Sequence, residues 1–293
     1  MTQDSLSDPA EIDKAFRHIV MPVSALLTPY VSGLMAVEID CLPPIEQRVA
    51  PHESVVLSVQ LGRGTHCVEQ KGALGENTRV TGIRRRVGSF VPAGDCVTLF
   101  ALLTPLGAVT LLDSQPMSGA PRIRARVDDL LDRKLTRALE SQIALADSLP
   151  EKLRALGAWL EQRASLPREV SAVAMRTARA AMRVLADPRC PIDELADDEL
   201  LSRRQLERDF AHWLGTSPRH LANVARVQEV SRLACRGESM ASAATGAGFA
   251  DQSHMSRVVR EFTGLTPQRF VRARTTPMSA AFREATRGAT VYL

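Results

Sequence analysis

The sequence predicts an α+β protein: an N-terminal β-barrel-like domain that also carries helices, followed by an all-α C-terminal domain of two tandem helix-turn-helix units. Three observations support this prediction. Short β-branched runs dominate up to about residue 113, apolar residues recur at helical spacing after residue 125, and a degenerate repeat occupies the last hundred residues. The predicted regions are 1–125, 126–186 and 187–293.

Residues 18–113 have the pattern of short strands. Ser54–Val59 and Cys96–Phe100 are apolar or β-branched runs, and glycines and prolines bound them on both sides. This spacing is typical of a small barrel or sandwich.

The segment 126–186 has helical periodicity instead. Leu131, Leu135 and Leu139 recur every four residues, and Pro150 and Pro167 stand where new helices are expected to begin. We predict three amphipathic helices that connect the two domains or help the chain to dimerise.

The C-terminal repeat has a constant offset. Ser202 corresponds to Asp251 and Gly215 to Gly264, since 251 − 202 and 264 − 215 are both 49. In both copies a Gly-x-[Ser/Thr]-Pro sequence follows the second predicted helix, which stops that helix and caps the next. The two copies therefore read as paired helix-turn-helix units.

Each unit has a helix with one buried and one polar face. In the first, Ser202 is the expected N-cap, Gln205 completes a capping box, and Leu206 and Phe210 face inward. In the second, Asp251 caps the helix and Phe262 lies inside. The polar faces provide the candidate DNA-binding residues: Arg203, Arg204, Glu207 and Arg208, then Gln252, Ser253, His254 and Arg257.

A single long helix is predicted between the two units. It covers His220–Arg236 and spans roughly 25 Å. That length suits two helices held about one DNA turn, ~34 Å, apart.

Composition and charge agree with a DNA-binding protein in a reducing cytoplasm. The chain has 293 residues and a net charge of +4, while residues 200–276 hold 12 Arg, no Lys and 6 acidic residues, a net of +6. Five cysteines without a CxxC pair argue against a disulfide framework. The longest apolar run, Leu99–Leu112, is too short to span a bilayer, so no membrane partner is expected.

The second unit resembles the AraC/XylS family of bacterial transcription regulators. The residues that carry the resemblance are Gly248–Arg257 and Gly264–Phe270, within a similar stretch from Pro191 to Arg272. Leu200 stands where the family usually has Gly. The resemblance implies a seven-helix domain whose recognition helices enter successive major grooves of double-stranded DNA. It also implies that seven of the eight polar residues above, all but Arg203, match positions that face bases or backbone.

The N-terminal domain is similar to the cupin-like sensor region of some family members at Thr81–Arg84, Phe90–Gly94 and Thr98–Gly107. The resemblance implies a small-molecule effector of unknown identity. RNA polymerase and a second copy of the chain are the further partners considered. We expect no catalytic residues, no cofactor and no metal.

Two alternatives stay open from the sequence. A cupin-type metalloenzyme fused to a DNA-binding domain would need clustered ligands, for which His52, Glu53, His66 and Cys67 are the candidates. A ligand-independent DNA-binding or architectural protein would need no pocket. The run Arg84–Arg86 fits an acidic ligand or a solvated strand edge.

Overall fold

The computed structural model describes residues 16–40, 46–62, 65–67, 78–92, 95–112, 124–126, 133–167, 169–272 and 277–286. In these residues the N-terminal part forms two antiparallel sheets and the C-terminal part is helical, which confirms the predicted α+β class. The described strands do not close into a barrel. The strands are β1 (Phe16–Met21), β2 (Val31–Ile39), β3 (Gln47–Val49), β4 (Val55–Gly62), β5 (Thr65–Cys67), β6 (Thr78–Thr81), β7 (Gly88–Pro92), β8 (Cys96–Leu103) and β9 (Arg124–Arg126).

The larger sheet has the order β1-β2-β8-β4-β6-β9, and the smaller has the order β3-β7-β5. Side chains of the central strands alternate between two apolar clusters, as the two-residue period of a strand requires. Leu34 and Leu99 enter one cluster, whereas Met35 and Phe100 enter the other. Helices cover the large sheet on both faces.

Eleven helices are found among the described residues. They are α1 (Pro105–Leu111), α2 (Arg133–Leu145), α3 (Leu149–Ser165), α4 (Ala172–Ala186), α5 (Ile192–Asp198), α6 (Arg203–Trp213), α7 (Pro218–Cys235), α8 (Met240–Gly246), α9 (Gln252–Thr263), α10 (Pro267–Val271) and α11 (Pro277–Ala285). None of them has the length and apolar character needed to cross a bilayer.

The region 126–186 holds the three predicted helices, α2 to α4, but one boundary differs. Pro150 lies in the first turn of α3, as expected, and Ser148 caps that helix. Pro167 does not begin α4, which starts at Ala172. The apolar run Leu99–Leu112 also divides, because Thr104 caps a helix that starts at Pro105.

Helix α4 packs against α6 and α7. Arg176 binds Asp209 at 3.0 Å and Arg179 binds Glu199 at 2.8 Å, so ion pairs support this packing. With α4, the helices from 172 to 271 number seven, which is the number that the family resemblance implies.

Helix α11 returns to the N-terminal domain. It packs on β1 and β2, and the Phe282 ring lies 5.1 Å from the Phe100 ring in an edge-on arrangement. Met278, Ala281 and Ala285 are buried in the same cluster. Helix α11 therefore anchors the C-terminal end of the helical domain to the sheet region.

Candidate nucleic-acid interface

The first helix-turn-helix unit consists of α5 and α6. The Ser202 hydroxyl accepts a hydrogen bond from the Gln205 backbone N–H at 3.2 Å, so the predicted N-cap is present. The predicted capping box is absent, because the Gln205 side chain donates to Asp209 instead of returning to Ser202. Leu206 and Phe210 are buried, which leaves the opposite face of α6 for solvent.

The polar residues of α6 differ in their surroundings. Arg203 pairs with Glu207 at 3.1 Å and with Asp193 at 3.6 Å, and the Glu207 hydrogen bond raises the pKa of its guanidinium. Arg208 donates to the Gln205 side chain. Arg204 is exposed, and no described residue pairs with it. Arg204 is thus the cation of this face most available to an external anion.

The second unit consists of α8 and α9. Asp251 accepts from the His254 backbone N–H at 2.7 Å, which confirms the predicted cap. Gln252, Ser253 and Arg257 are exposed on one side of α9. His254 is only half-buried rather than fully outward, because its ring packs edge-on against Phe249 with centroids 5.5 Å apart.

The inner face of α9 is apolar, as predicted. Its buried residues are Met255, Val258, Val259 and Phe262. Each recognition helix is followed by a glycine with positive φ, Gly215 at 65° and Gly264 at 72°. A positive φ suits glycine because it has no Cβ, so both helices end where the repeat predicts.

The turns within the two units have different residues at the left-handed position. Gly248 has φ 82° in the second unit, whereas Leu200 has φ 55° in the first and is 93% exposed. Both residues follow the C-cap of the preceding helix. Leu200 therefore keeps the turn geometry expected of a glycine, but with the steric cost of a Cβ.

We expect Leu200→Gly to stabilise the protein by about 0.5–1 kcal/mol. Relief of the left-handed strain, about 1–2 kcal/mol, exceeds the entropy that glycine adds to the unfolded chain, about 0.5–1 kcal/mol. Chemical denaturation measures the change. Leu200→Ala is the matched control, because it removes the exposed side chain but keeps the Cβ. An equal gain in both variants would contradict strain as the cause.

Two arginines fix the second turn against the rest of the helical domain. The Arg226 guanidinium of α7 lies 5.6 Å from the Phe249 ring centroid. Arg189, which precedes α5, donates to the Gly246 carbonyl at 3.4 Å. These contacts join the second unit to α7 and to the start of the first unit.

Helix α7 links the two units and also contacts the N-terminal domain. Gln228 is fully buried, and its Nε2 donates to the Pro51 carbonyl at 2.6 Å. Arg232 pairs with Glu53 at 2.9 Å. Although desolvation lowers the pKa of Arg232, Glu53 and Glu229 raise it above its usual value overall. The sequence analysis did not identify these contacts.

A third interdomain contact involves His220 at the start of α7. Its Nε2 lies 2.8 Å from the Arg84 carbonyl oxygen, and its ring stacks on Phe262 with centroids 5.0 Å apart. Desolvation lowers the pKa of His220. Arg84 itself is buried, with its guanidinium 4.6 Å from the Phe90 centroid, so only Arg85 and Arg86 of that run are exposed.

The candidate metal ligands are not assembled into a site among the side chains that the structure describes. His52 is buried and its Nδ1 accepts from the Ser54 backbone N–H at 3.3 Å, while Glu53 pairs with Arg232. The side chains of His66 and Cys67 lie outside the described residues. Glu53 thus serves as an interdomain contact.

The sequence matches one protein family. Residues 195–273 match the helix-turn-helix domain family. This range covers the last four residues of α5 and all of α6 to α10, so the match includes both helices that follow the turns and the helix that links the units. None of the curated proteins matches the sequence as a relative.

Several solved structures are similar at low identity. ToxT from Vibrio cholerae is 11% identical, over 89% of this chain and 99% of that chain, with a TM-score of 0.45. The same protein from strain SCE256 with an unsaturated fatty acid bound is 10% identical, over 87% and 94%, with a TM-score of 0.42. A DNA-binding transcriptional dual regulator from Escherichia coli K-12 is 21% identical, over 33% and 90%, with a TM-score of 0.30.

The assignment depends on the family match and on the paired units, because structural similarities with TM-scores below 0.5 support no assignment. Capped helices with glycine-terminated ends occur twice at the same offset within the matched range, and one long helix links them. Residues 195–273 of the chain therefore form a domain of the helix-turn-helix family.

Proposed function

We propose that this protein is a sequence-specific DNA-binding transcription regulator. The observation that carries the proposal is the shared design of α6 and α9. Each helix buries its apolar face and exposes polar and cationic side chains near its N-terminus, where recognition helices meet base edges. Double-stranded DNA is the partner that this arrangement fits.

The eight candidate residues have different proposed roles. Arg204 and Arg208 contact phosphates, and Arg203 does so only by giving up its pairs with Asp193 and Glu207. Gln252 and Arg257 are long enough for bidentate contacts to adenine and guanine edges. Ser253 and His254 lie beside Gln252 and Arg257. The Glu207 carboxylate either accepts a hydrogen bond from the amino group of cytosine or orients the Arg203 side chain.

The two units read DNA as a direct repeat on one face of the duplex. They follow each other on one chain, and the 18 residues of α7 span about 27 Å. The repeat of the major groove is about 34 Å. If α7 sets the separation of the two units, either the DNA bends, at a cost of a few kcal/mol, or one helix rests on the backbone.

Footprinting of the full-length chain on a selected site tests this proposal. We expect protection of two groove segments about 10 base pairs apart. Arg204→Ala with Arg208→Ala should weaken binding to all sequences and reduce its salt dependence by about two phosphate contacts. Gln252→Ala with Arg257→Ala should relax sequence preference by about 1–3 kcal/mol per contact.

Arg137→Ala with Arg154→Ala is the matched control, because it removes two exposed positive charges from α2 and α3, outside the helical repeat. It should leave both the footprint and the sequence preference unchanged. Protection of a single groove segment, insensitive to the α6 variants, would refute the two-unit proposal. Equal losses for the control and the α6 variants would indicate attraction by net charge alone.

We also propose that a small-molecule effector controls the DNA-binding domain. A cavity of about 840 Å³ lies where the two domains meet, and Arg232 and Glu53 both line it. This volume is in the range of small-molecule sites.

Dimerisation is a further part of the proposal. Leu135 and Leu145 are exposed on α2, and the 82% exposure of Leu145 supports a contact between two copies of this helix. Contact with RNA polymerase and a cytoplasmic location stay predictions.

A further inference from the structure

The interdomain cavity has both apolar and charged walls. Its lining comes from β1, the start of β2, the segment after β3, and the helices α4, α7 and α11. The lining residues that matter here are Val31, Met182, Leu185, Glu53, Arg232 and Glu284. A molecule with an apolar part and one polar end matches this surface.

The cavity lies against three helices that connect the helical domain to the rest of the chain. Met182 and Leu185 are near the end of α4, Arg232 is near the end of α7, and Glu284 is in α11. Helix α11 is seated tightly, since a Cβ on Gly33 of β2 would lie only 2.7 Å from the Ala285 carbonyl oxygen. An occupant of the cavity therefore contacts the elements that hold the DNA-binding helices in place.

The charges in the cavity wall are unequally paired. Arg232 has two carboxylate partners, Glu53 at 2.9 Å and Glu229 at 3.4 Å. Among the residues that the structure describes, Arg232 is the only cation paired with Glu53, whose side chain is 16% exposed. If the contact between Arg232 and Glu53 broke, Arg232 would remain paired with Glu229. Glu53 would then have no paired cation among the described residues.

This imbalance determines which ligand charge is tolerated. An anionic ligand that bound Arg232 in place of Glu53 would leave the nearly buried Glu53 carboxylate without a paired cation, which is strongly unfavourable. A cationic ligand that bound Glu53 in place of Arg232 would leave Arg232 paired with Glu229. No charge would then be without a partner. Glu284 in the same wall adds further negative charge.

We propose that the cavity binds an amphipathic organic cation of the alkylammonium class. The ammonium group donates to Glu53, and the alkyl chain lies against Val31, Met182 and Leu185. Binding replaces the Glu53–Arg232 contact between the domains, which frees α7 to shift and changes DNA affinity. The proposal rests on the regulatory function proposed above and specifies its ligand class.

Titration calorimetry of the full-length protein tests the proposal with three probes of equal chain length: octylammonium, octanol and octanoate. We expect octylammonium to bind with one site per chain, about tenfold or more tighter than octanol, because it adds hydrogen bonds to a charged group. Octanoate should bind more weakly than octanol. Glu53→Gln should remove the preference for octylammonium.

Glu284→Gln is the matched variant, because it neutralises the other carboxylate of the same wall, whose side chain is 62% exposed. It should retain most of the octylammonium preference. Saturating octylammonium should shift the DNA dissociation constant of the wild-type protein and of Glu284→Gln, but not that of Glu53→Gln.

Three results would overturn the proposal: tighter binding of octanoate than of octylammonium, a preference for octylammonium over octanol that survives Glu53→Gln, or no binding of any probe. Binding without a shift in DNA affinity would overturn the regulatory step. Each differs from failure of the proposed function, in which the ligand-free protein gives no footprint at all.

Discussion

Replacing Phe262 with alanine is expected to lower the free energy of unfolding by about 3–5 kcal/mol. Phe262 is 4% exposed and lies between α9 and α7. Its ring supports His220, which in turn contacts the Arg84 carbonyl of the N-terminal domain. Truncation therefore leaves a cavity and loosens an interdomain contact, and chemical denaturation measures the loss.

Arg257→Ala, five residues earlier on α9, is the control for that experiment. Arg257 is exposed, so its removal should change stability by no more than about 0.5 kcal/mol, although it should relax the sequence preference for DNA. Equal decreases in melting temperature for the two variants would show that the faces of α9 are wrongly assigned.

Acid is expected to destabilise the protein through His52. Burial lowers the pKa of this side chain from 6.5 to about 4, and the nearby Arg84 guanidinium lowers it as well. The unfolded chain therefore takes up a proton at higher pH than the folded protein does. The contribution is fully present above pH 6.5 and is lost as pH falls towards 4, at a cost of about 3 kcal/mol.

The test compares unfolding free energies of the wild type and His52→Gln from pH 7 to pH 4. Glutamine cannot titrate, and its side-chain oxygen can still accept a hydrogen bond from the Ser54 backbone N–H, as His52 Nδ1 does. The wild type should lose about 3 kcal/mol more than the variant over this range. Parallel curves would show that His52 does not titrate between the two states.

The helix-turn-helix units could be predicted because their signals are local. A cap such as Ser202 or Asp251 bonds three residues ahead, and a glycine such as Gly264 acts on its own backbone. Apolar residues three to four apart then define which side of α6 and α9 is buried. These interactions span less than two helical turns, so the sequence contains all that they require.

Local signals misled where two interactions competed for one side chain. Gln205 has the spacing of a capping box. Its side-chain amide nevertheless donates a hydrogen bond to Asp209, which also binds Arg176 of α4. Similarly, Arg84 was expected at a strand edge or on a ligand, but it is buried over Phe90. For Gln205 the competing partner lies in the same helix and is itself bound by Arg176 of α4, and for Arg84 the competing partner is the Phe90 ring of β7.

One interdomain contact has a signal in the sequence of α7. His220, Val224, Gln228 and Arg232 follow each other at intervals of four and therefore lie on one side of α7. Three polar residues on a side that also carries a buried valine indicate contact with a polar partner surface rather than with solvent. The identity of that partner, however, cannot be read from the helix itself.

The sequence by itself determined the fold class, the tandem units and the polar faces of α6 and α9, because short-range hydrogen bonds and periodic burial specify them. Only the tertiary structure decided the interdomain contacts, the return of α11 and the cavity. Gln228 meets Pro51 across 177 residues and Arg232 meets Glu53 across 179. At such separations, the chain between two residues constrains their distance hardly at all, so packing of the whole molecule selects which charges and carbonyls meet.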